Sequence, residues 1–219
     1  MPLIVYGHCF SSYTQKVLLA LYENDTPFDF RGVGPDQRDN TADWLRLWPI
    51  RKFPVLVDGD RTVAETSIII EYLDQNHPGP VRFLPDEPKT ALEVRFLDRF
   101  FDLHVMEAAQ HAVNGALTGL EDRARDGQAL AEEKLERSYA WLENALAGRE
   151  WAAGDAFTLA DCAASPSLFY ADWVHRISDS YPVLRAYRAR LLARPAYARA
   201  VEEARPYRNL FPLGAPDRD

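Results

Sequence analysis

The stretch "FPVLVDGDRTVAETSIIIEYL" (53–73) decides the fold. Two short β-rich runs flank Asp58-Gly59-Asp60, and Asp-Gly at such a junction signals a hairpin. The run that follows, 66–76, carries apolar residues at helical spacing behind Thr66 or Ser67, either of which suits a helix start. Pro54 stands just ahead of the first strand, where a residue that cannot donate to a ladder is tolerated. A ββα unit is the expected product.

Upstream, "LIVY" (3–6) is β-rich and ends at Gly7, so it reads as a buried strand. From about Tyr13 to Asn24, Val17, Leu18, Leu21 and Tyr22 fall at helical spacing until Thr26-Pro27 breaks the pattern. A second strand candidate covers 28–33, and 34–51 is polar with a short helix around "TADWLRLW". The order is βαβ followed by ββα. Downstream, "HPGPVRFLPDEPK" (77–89) is proline-rich and reads as a linker. Beyond it the strand signals stop, and helical patterns cover 90–117, 127–147, 159–173, 182–193 and 195–204. The expected organisation is an α/β domain over 1–76, a linker over 77–89 and an all-α domain over 90–219.

Bulk properties narrow the function. The chain has 219 residues, 47% of them hydrophobic, so it can bury a sizeable core. Its formal net charge is −8, with no dense basic run, which argues against nucleic acid as a partner. The two cysteines, Cys9 and Cys162, are far apart and point to neither a disulfide framework nor a zinc site. No apolar run is long enough to span a bilayer, and "MPLIVYGHC" does not read as a secretory signal, so a cytoplasmic protein is expected.

Three stretches carry chemistry or mimic it. "YGHCFSSYTQKV" (6–17) crowds a thiol, an imidazole and several hydroxyls into a strand-to-helix turn. In "AETSIIIEYL", Glu65 and Thr66 stand at the mouth of a helix, where free amides and the positive dipole end suit a carboxylate; simple capping by Thr66 explains the same residues. "FTLADCAA" (157–164) is a capping box, in which Thr158 and Asp161 satisfy each other's amides. Asp161 thus reads as structural and Cys162 as core. Pro54 reads either as an ordinary trans proline or as a cis proline presenting the backbone of Phe53 to a ligand.

These pieces, in this order and spacing, resemble the cytosolic glutathione transferases, serine-type bacterial members of theta, phi or zeta likeness. The resemblance spans about residues 3–204. It implies a thioredoxin-like N-terminal domain that binds glutathione and an all-helical C-terminal domain that supplies the electrophile pocket. It further implies a cis bond at Pro54, and glutathione held by Lys52, Phe53, Pro54, Glu65 and Thr66. A homodimer is the family habit. The chain departs from the pattern in carrying Thr66 for serine, Arg51 for glycine, Phe53 for valine and His8 for proline.

The chemistry then needs a hydroxyl that favours a thiolate. A free thiol ionises near pKa 8.5, so only a few per cent is reactive near neutral pH. Ser11 at the turn is the expected donor, aligned with the family's serine; Ser12 is the runner-up, with helix capping as its rival explanation. Cys9 lies two residues too early to be the family's cysteine and reads as packed. On the helix after the linker, Phe100, His104, Glu107 and His111 form one stripe. Phe100, His104 and His111 are expected to face the electrophile; a subunit interface or polar seam is the competing reading, and no metal is expected. Arg95 and Arg99 can pair with acids. The predicted reaction is attack of the glutathione thiolate on a small apolar electrophile. A glutathione-dependent reductase or isomerase on the same fold, or a non-catalytic interaction protein, are the alternatives.

Overall fold

The computed structural model describes residues 2–219; Met1, the first residue of the predicted N-terminal domain, lies outside them. Strand β1 (Leu3–Gly7), helix α1 (Ser12–Glu23), strand β2 (Phe28–Gly32), helix α2 (Arg38–Leu47), strands β3 (Val55–Asp58) and β4 (Arg61–Ala64) and helix α3 (Thr66–Asn76) follow in the expected order. The sheet runs β2-β1-β3-β4, with β1 parallel to β2 and antiparallel to β3. Asp58 pairs with Arg61 across the β3–β4 turn, and Gly59 supplies the left-handed backbone, φ 58°, that the turn requires. Alternation along β1 sorts its side chains: Leu3 and Val5 enter the main core with α1 and α3, while Tyr6 packs with Trp44 of α2 on the other face.

The rest of the described chain is helical: α4 (Pro88–Phe100), a π-turn (Phe101–Met106), α5 (Glu107–Leu117), α6 (Glu121–Ala145), α7 (Leu159–Val174), α8 (Pro182–Leu192), α9 (Pro195–Ala204) and a 3-10 turn (Arg205–Leu210). Helical backbone continues without a break from α4 through the π-turn into α5, forming one long rod. Helix α6 begins at Glu121, earlier than the spacing predicts, and packs closely on α5. A Cβ on Gly127 would meet the His111 carbonyl oxygen at 2.5 Å, so glycine is what permits that approach. Among the described residues no helix is long and apolar enough to cross a membrane.

Helix α7 is buried along its whole length and forms the centre of the helical part. Its capping box is present as expected. The Asp161 carboxylate accepts from the amides of Ala152 (2.8 Å) and Thr158 (2.9 Å) and from the Tyr187 hydroxyl (2.6 Å). Burial pushes the Asp161 carboxyl up, and these donors oppose the shift. With its lone pairs so engaged, it is a folding device. One continuous apolar core joins the sheet, α1, α4, α5, α7 and α9. Helix α1 is therefore enclosed on both sides, and Thr14 to Leu21 are all buried.

Candidate active site

A cleft of about 550 Å³ separates α3 and the loop before β3 from the long rod of α4 and the π-turn. Lys52, Phe53, Pro54, Glu65 and Thr66, the residues expected to hold glutathione, all line it. The loop is fixed from behind. Trp44 Nε1 donates to the Lys52 carbonyl at 2.9 Å, and the Trp44 and Phe53 rings pack 5.5 Å apart. The Phe53–Pro54 peptide is cis, as the family resemblance implies. Arg51, which replaces a glycine, sits at φ 61°, in the left-handed region where a side chain is disfavoured.

Glu65 is also left-handed, at φ 70°, and is itself the N-cap of α3. Capping by Thr66, one reading of the sequence, is thereby corrected: Thr66 is already the first helical residue. The Glu65 side chain makes no cap bond, and the first amide to bond back along the helix is that of Ile69, 2.8 Å from the Glu65 carbonyl. The opening turn thus presents N–H groups and a positive dipole end to the cleft that Thr66, Ser67 and Ile68 line. A ligand carboxylate suits that position, with the Glu65 carboxylate beside it for an amine.

Under this helix start lies a buried charge cluster. Lys16 of α1 is 1% exposed, and its ammonium contacts Asp98 (2.6 Å) and Asp102 (2.8 Å) from the long rod. It also donates to Ser67 Oγ at 3.1 Å, while Ser67 donates to Asp98 at 2.7 Å. Burial works against the charged ammonium, but Asp102 and Asp98 outweigh it and hold Lys16 above its ordinary range. Burial pushes Asp102 up, and Lys16 opposes that shift. Lysine in the run "QKVLLAL" was the available signal for this cluster, since a buried charge needs a partner.

A second cavity, of 270 Å³, adjoins the first and shares Tyr13 and Phe53 with it. Ser11 and Ser12 line this second cavity, opposite Met106, Ala109, Gln110 and Val113 of the rod and Phe211 of the C-terminal segment. Ser11, not Ser12, is the N-cap of α1: its Oγ accepts from the Thr14 amide at 3.3 Å. The capping role assigned to Ser12 therefore belongs to Ser11. An accepting hydroxyl keeps its own proton for donation, and the Thr14 N–H polarises that O–H. Tyr13 presents a second hydroxyl at the junction. Burial, with Asp102 and Glu107 nearby, pushes its phenol up to about 12, so it stays protonated near neutral pH.

The stripe expected to face the electrophile lies apart from the cavity beside Ser11. Phe100 and His104 line a separate depression with Lys134 and Trp141, facing α6. Phe100 stacks on Trp141 at 4.3 Å, and His111 meets Lys134 Nζ at 3.0 Å. The stripe exists, but Phe100 and His104 face α6 rather than Ser11, and His104 and Glu107 are exposed. The residues that face Ser11, Met106 and Val113, lie two positions after His104 and His111, and two positions is just over half a turn of an α-helix. Cys9 opens onto a 470 Å³ groove with Tyr22, Phe28 and Glu203, away from both cavities that meet at Tyr13. Burial, then the Glu203 charge, raises its thiol, the opposite of what a reactive cysteine needs. His8 accepts from the Phe10 amide through Nδ1 at 3.2 Å, and burial lowers its imidazole.

Residues 5–81 match the family model described as glutathione S-transferase, N-terminal domain, and residues 102–195 that described as glutathione S-transferase, C-terminal domain. The chain is 30% identical to a probable maleylacetoacetate isomerase of Vibrio cholerae, over 94% of this chain and 98% of that protein. It is 27% identical to a glutathione S-transferase of Hyoscyamus muticus, over 92% of this chain and 99% of the relative. Its fold superposes on a glutathione transferase homologue from Drosophila mojavensis with bound glutathione, at TM-score 0.82, 21% identity and 98% of both chains. Glutathione transferase F7 of Populus trichocarpa gives TM-score 0.77 at 23% identity, over 92% of this chain and 99% of the other. Sheet order, helical half and family models agree, and the chain belongs to the glutathione S-transferase family.

Proposed function

We propose that this protein is a glutathione transferase whose Ser11 hydroxyl holds the glutathione sulfur as a thiolate. One observation carries this reading: a cleft lined with charged side chains and an apolar pocket meet at Tyr13 and Phe53, beside a hydroxyl whose oxygen already accepts from Thr14. Glutathione lies in the cleft. Its γ-glutamyl carboxylate takes the opening amides of α3, its amine takes Glu65, its cysteinyl backbone takes Phe53, and Lys52 supplies a cation. The sulfur then reaches the junction. The Ser11 O–H donates to it, and the thiol proton leaves to solvent. On an aryl chloride, the thiolate adds to the ring carbon bearing chlorine; the C–S bond forms, the C–Cl bond breaks and chloride departs with the electron pair. Such conjugation is the chemistry of detoxification. Two free cysteines suit a reducing, cytoplasmic setting. A homodimer is part of the same reading, supported by the exposed apolar side chains Leu92, Phe96, Leu103 and Trp141 on α4, the π-turn and α6.

The isomerase reading draws on the Vibrio cholerae relative's name. Maleylacetoacetate carries two carboxylates, whereas the pocket beside Ser11 is lined by no lysine, arginine or histidine. That supports an uncharged electrophile over a dianion. The test is retention on glutathione-agarose, then thiolate absorbance and turnover of 1-chloro-2,4-dinitrobenzene. Ser11→Ala should bind glutathione, lose the thiolate band and fall in kcat by about 10²-fold, the size of losing one positioned donor. Tyr13→Phe and Ser12→Ala should keep the band. A band that survives in Ser11→Ala but vanishes in Tyr13→Phe would transfer the role to the phenol.

A further inference from the structure

The C-terminal segment bears on the pocket from a direction no helix pattern announces. Leu210, Phe211 and Pro212 form one wall of the cavity beside Ser11. Phe211 is buried against Trp173, ring centroids 5.2 Å apart, and Tyr207 meets the His8 ring edge-on at 4.8 Å. The segment therefore touches both the end of α7 and the turn that carries Ser11. It is held by ions. Arg218 reaches back to α7, Nε to the Asp172 carboxylate at 3.2 Å and Nη2 to the Asp172 carbonyl at 2.7 Å. A cation on the last turn of a helix also meets the negative dipole end. Asp219 pairs with Arg205, 2.9 Å away, and with Arg208, closing 205–219 into a loop whose ends adjoin. Arg208 in turn lies over the Trp173 ring, 5.1 Å from its centroid.

We propose that residues 205–219 form a strap that sets the size of the electrophile pocket, and that Arg218 on Asp172 is its fastening. The proposal rests on the reading of the Ser11 pocket as the electrophile site. Arg218 is a positioning residue: it lines neither cavity, yet it holds Leu210 and Phe211 against the pocket. Two of the fastening groups, Arg218 and Asp219, are 38% and 40% exposed, so dissolved salt screens them. Electrophile affinity should thus fall with ionic strength while glutathione affinity stays level. Buried apolar contacts of Phe211 keep the strap from being lost altogether.

The experiment compares wild type, Arg218→Ala and Arg218→Lys with 1-chloro-2,4-dinitrobenzene, at low and high sodium chloride, and follows amide hydrogen exchange of 205–212. Arg218→Ala should raise KM for the electrophile about fivefold, the scale of one partly exposed ion pair, with little change in kcat or in KM for glutathione. Its KM should respond less to salt than that of the wild type, because the Asp219 pairs remain, and its 205–212 amides should exchange faster. Arg218→Lys should recover part of both effects, because a point charge cannot make the two-pronged contact. Unchanged exchange in Arg218→Ala overturns the fastening. Faster exchange with unchanged electrophile KM overturns the wall. Equal rises in both KM values overturn specificity and indicate a general loosening. A wild type that binds glutathione yet turns over no uncharged electrophile overturns the proposed function itself, a result separate from the other three.

Discussion

The two cavities that meet at Tyr13 and Phe53 are walled by different means. Beneath the cleft proposed for glutathione, Lys16, Asp98 and Asp102 are buried together, with Ser67 completing the cluster. Beside the proposed electrophile pocket, Arg218, Asp219 and Arg205 are between 38% and 41% exposed, while Asp172, which Arg218 grips, is buried. Buried ions tolerate one geometry, because any separation leaves a charge in a low dielectric. Surface ions can part and find water. The difference fits the proposed ligands: a cleft proposed for one invariant tripeptide gains from rigidity, and a pocket proposed for varied electrophiles gains from a wall that yields.

The sharpest way to break that contrast is Lys16→Met. It removes the one ammonium among two carboxylates and should lower stability by about 3–5 kcal/mol, read from urea unfolding. Arg218→Ala should lower it by less than about 1 kcal/mol. Similar losses in both would mean that the cluster is no more rigid than the strap.

A pH titration sharpens the same point. Lys16 is held above its ordinary range when folded, so its stabilisation is full below the unfolded value of about 10.4 and fades as pH rises through the folded value. Buried tyrosines whose phenols are raised, Tyr187 and Tyr197 among them, lose stability in the same direction. The unfolding midpoint of the wild type should therefore drop steeply above about pH 10. In Lys16→Met the drop should be shallower, carried by the tyrosines alone. Identical alkaline limbs would say that Lys16 contributes no differential charge.

Much of this molecule was legible in its residues, and the illegible parts share a cause. Asp58-Gly59 marked the hairpin, Thr158 and Asp161 marked the start of α7, and Pro54, Glu65 and Thr66 lie together in one cleft. Each of these is a local rule, complete within a few residues. That Phe100, His104 and His111 lie away from Ser11, and Met106 and Val113 opposite it, was not legible, because periodicity identifies a stripe without saying which neighbour it faces. The partners of Lys16 are on another helix, about eighty residues away, and the strap has no period at all. Contacts of that range are fixed by how the two halves pack.

Arg51 gives a smaller effect, and one of the opposite sign. Its backbone sits at φ 61° immediately before the glutathione loop. Arg51→Gly relieves the left-handed strain and adds freedom to the unfolded chain, so the net gain should be about 0.5 kcal/mol, measured as a rise in the urea midpoint. A loss instead would mean that the arginine side chain contributes a contact worth more than the strain.

The smallest expected effect is the most useful control. Arg95 and Glu71, which line the cleft proposed for glutathione, join the two halves, with both guanidinium contacts at 3.0 Å. Arg95 is 47% exposed, comparable to Arg218, so the pair should contribute only about 0.5 kcal/mol and weaken in salt. Each pair sets a part-exposed arginine on a more buried carboxylate, and the two differ in which cavity they border. Arg95→Ala should therefore move KM for glutathione slightly and leave KM for the electrophile alone, the reverse of Arg218→Ala. If instead both variants shift the electrophile KM alike, exposed pairs act here by loosening the whole interface, and the distinction between a fixed cleft and a yielding pocket dissolves.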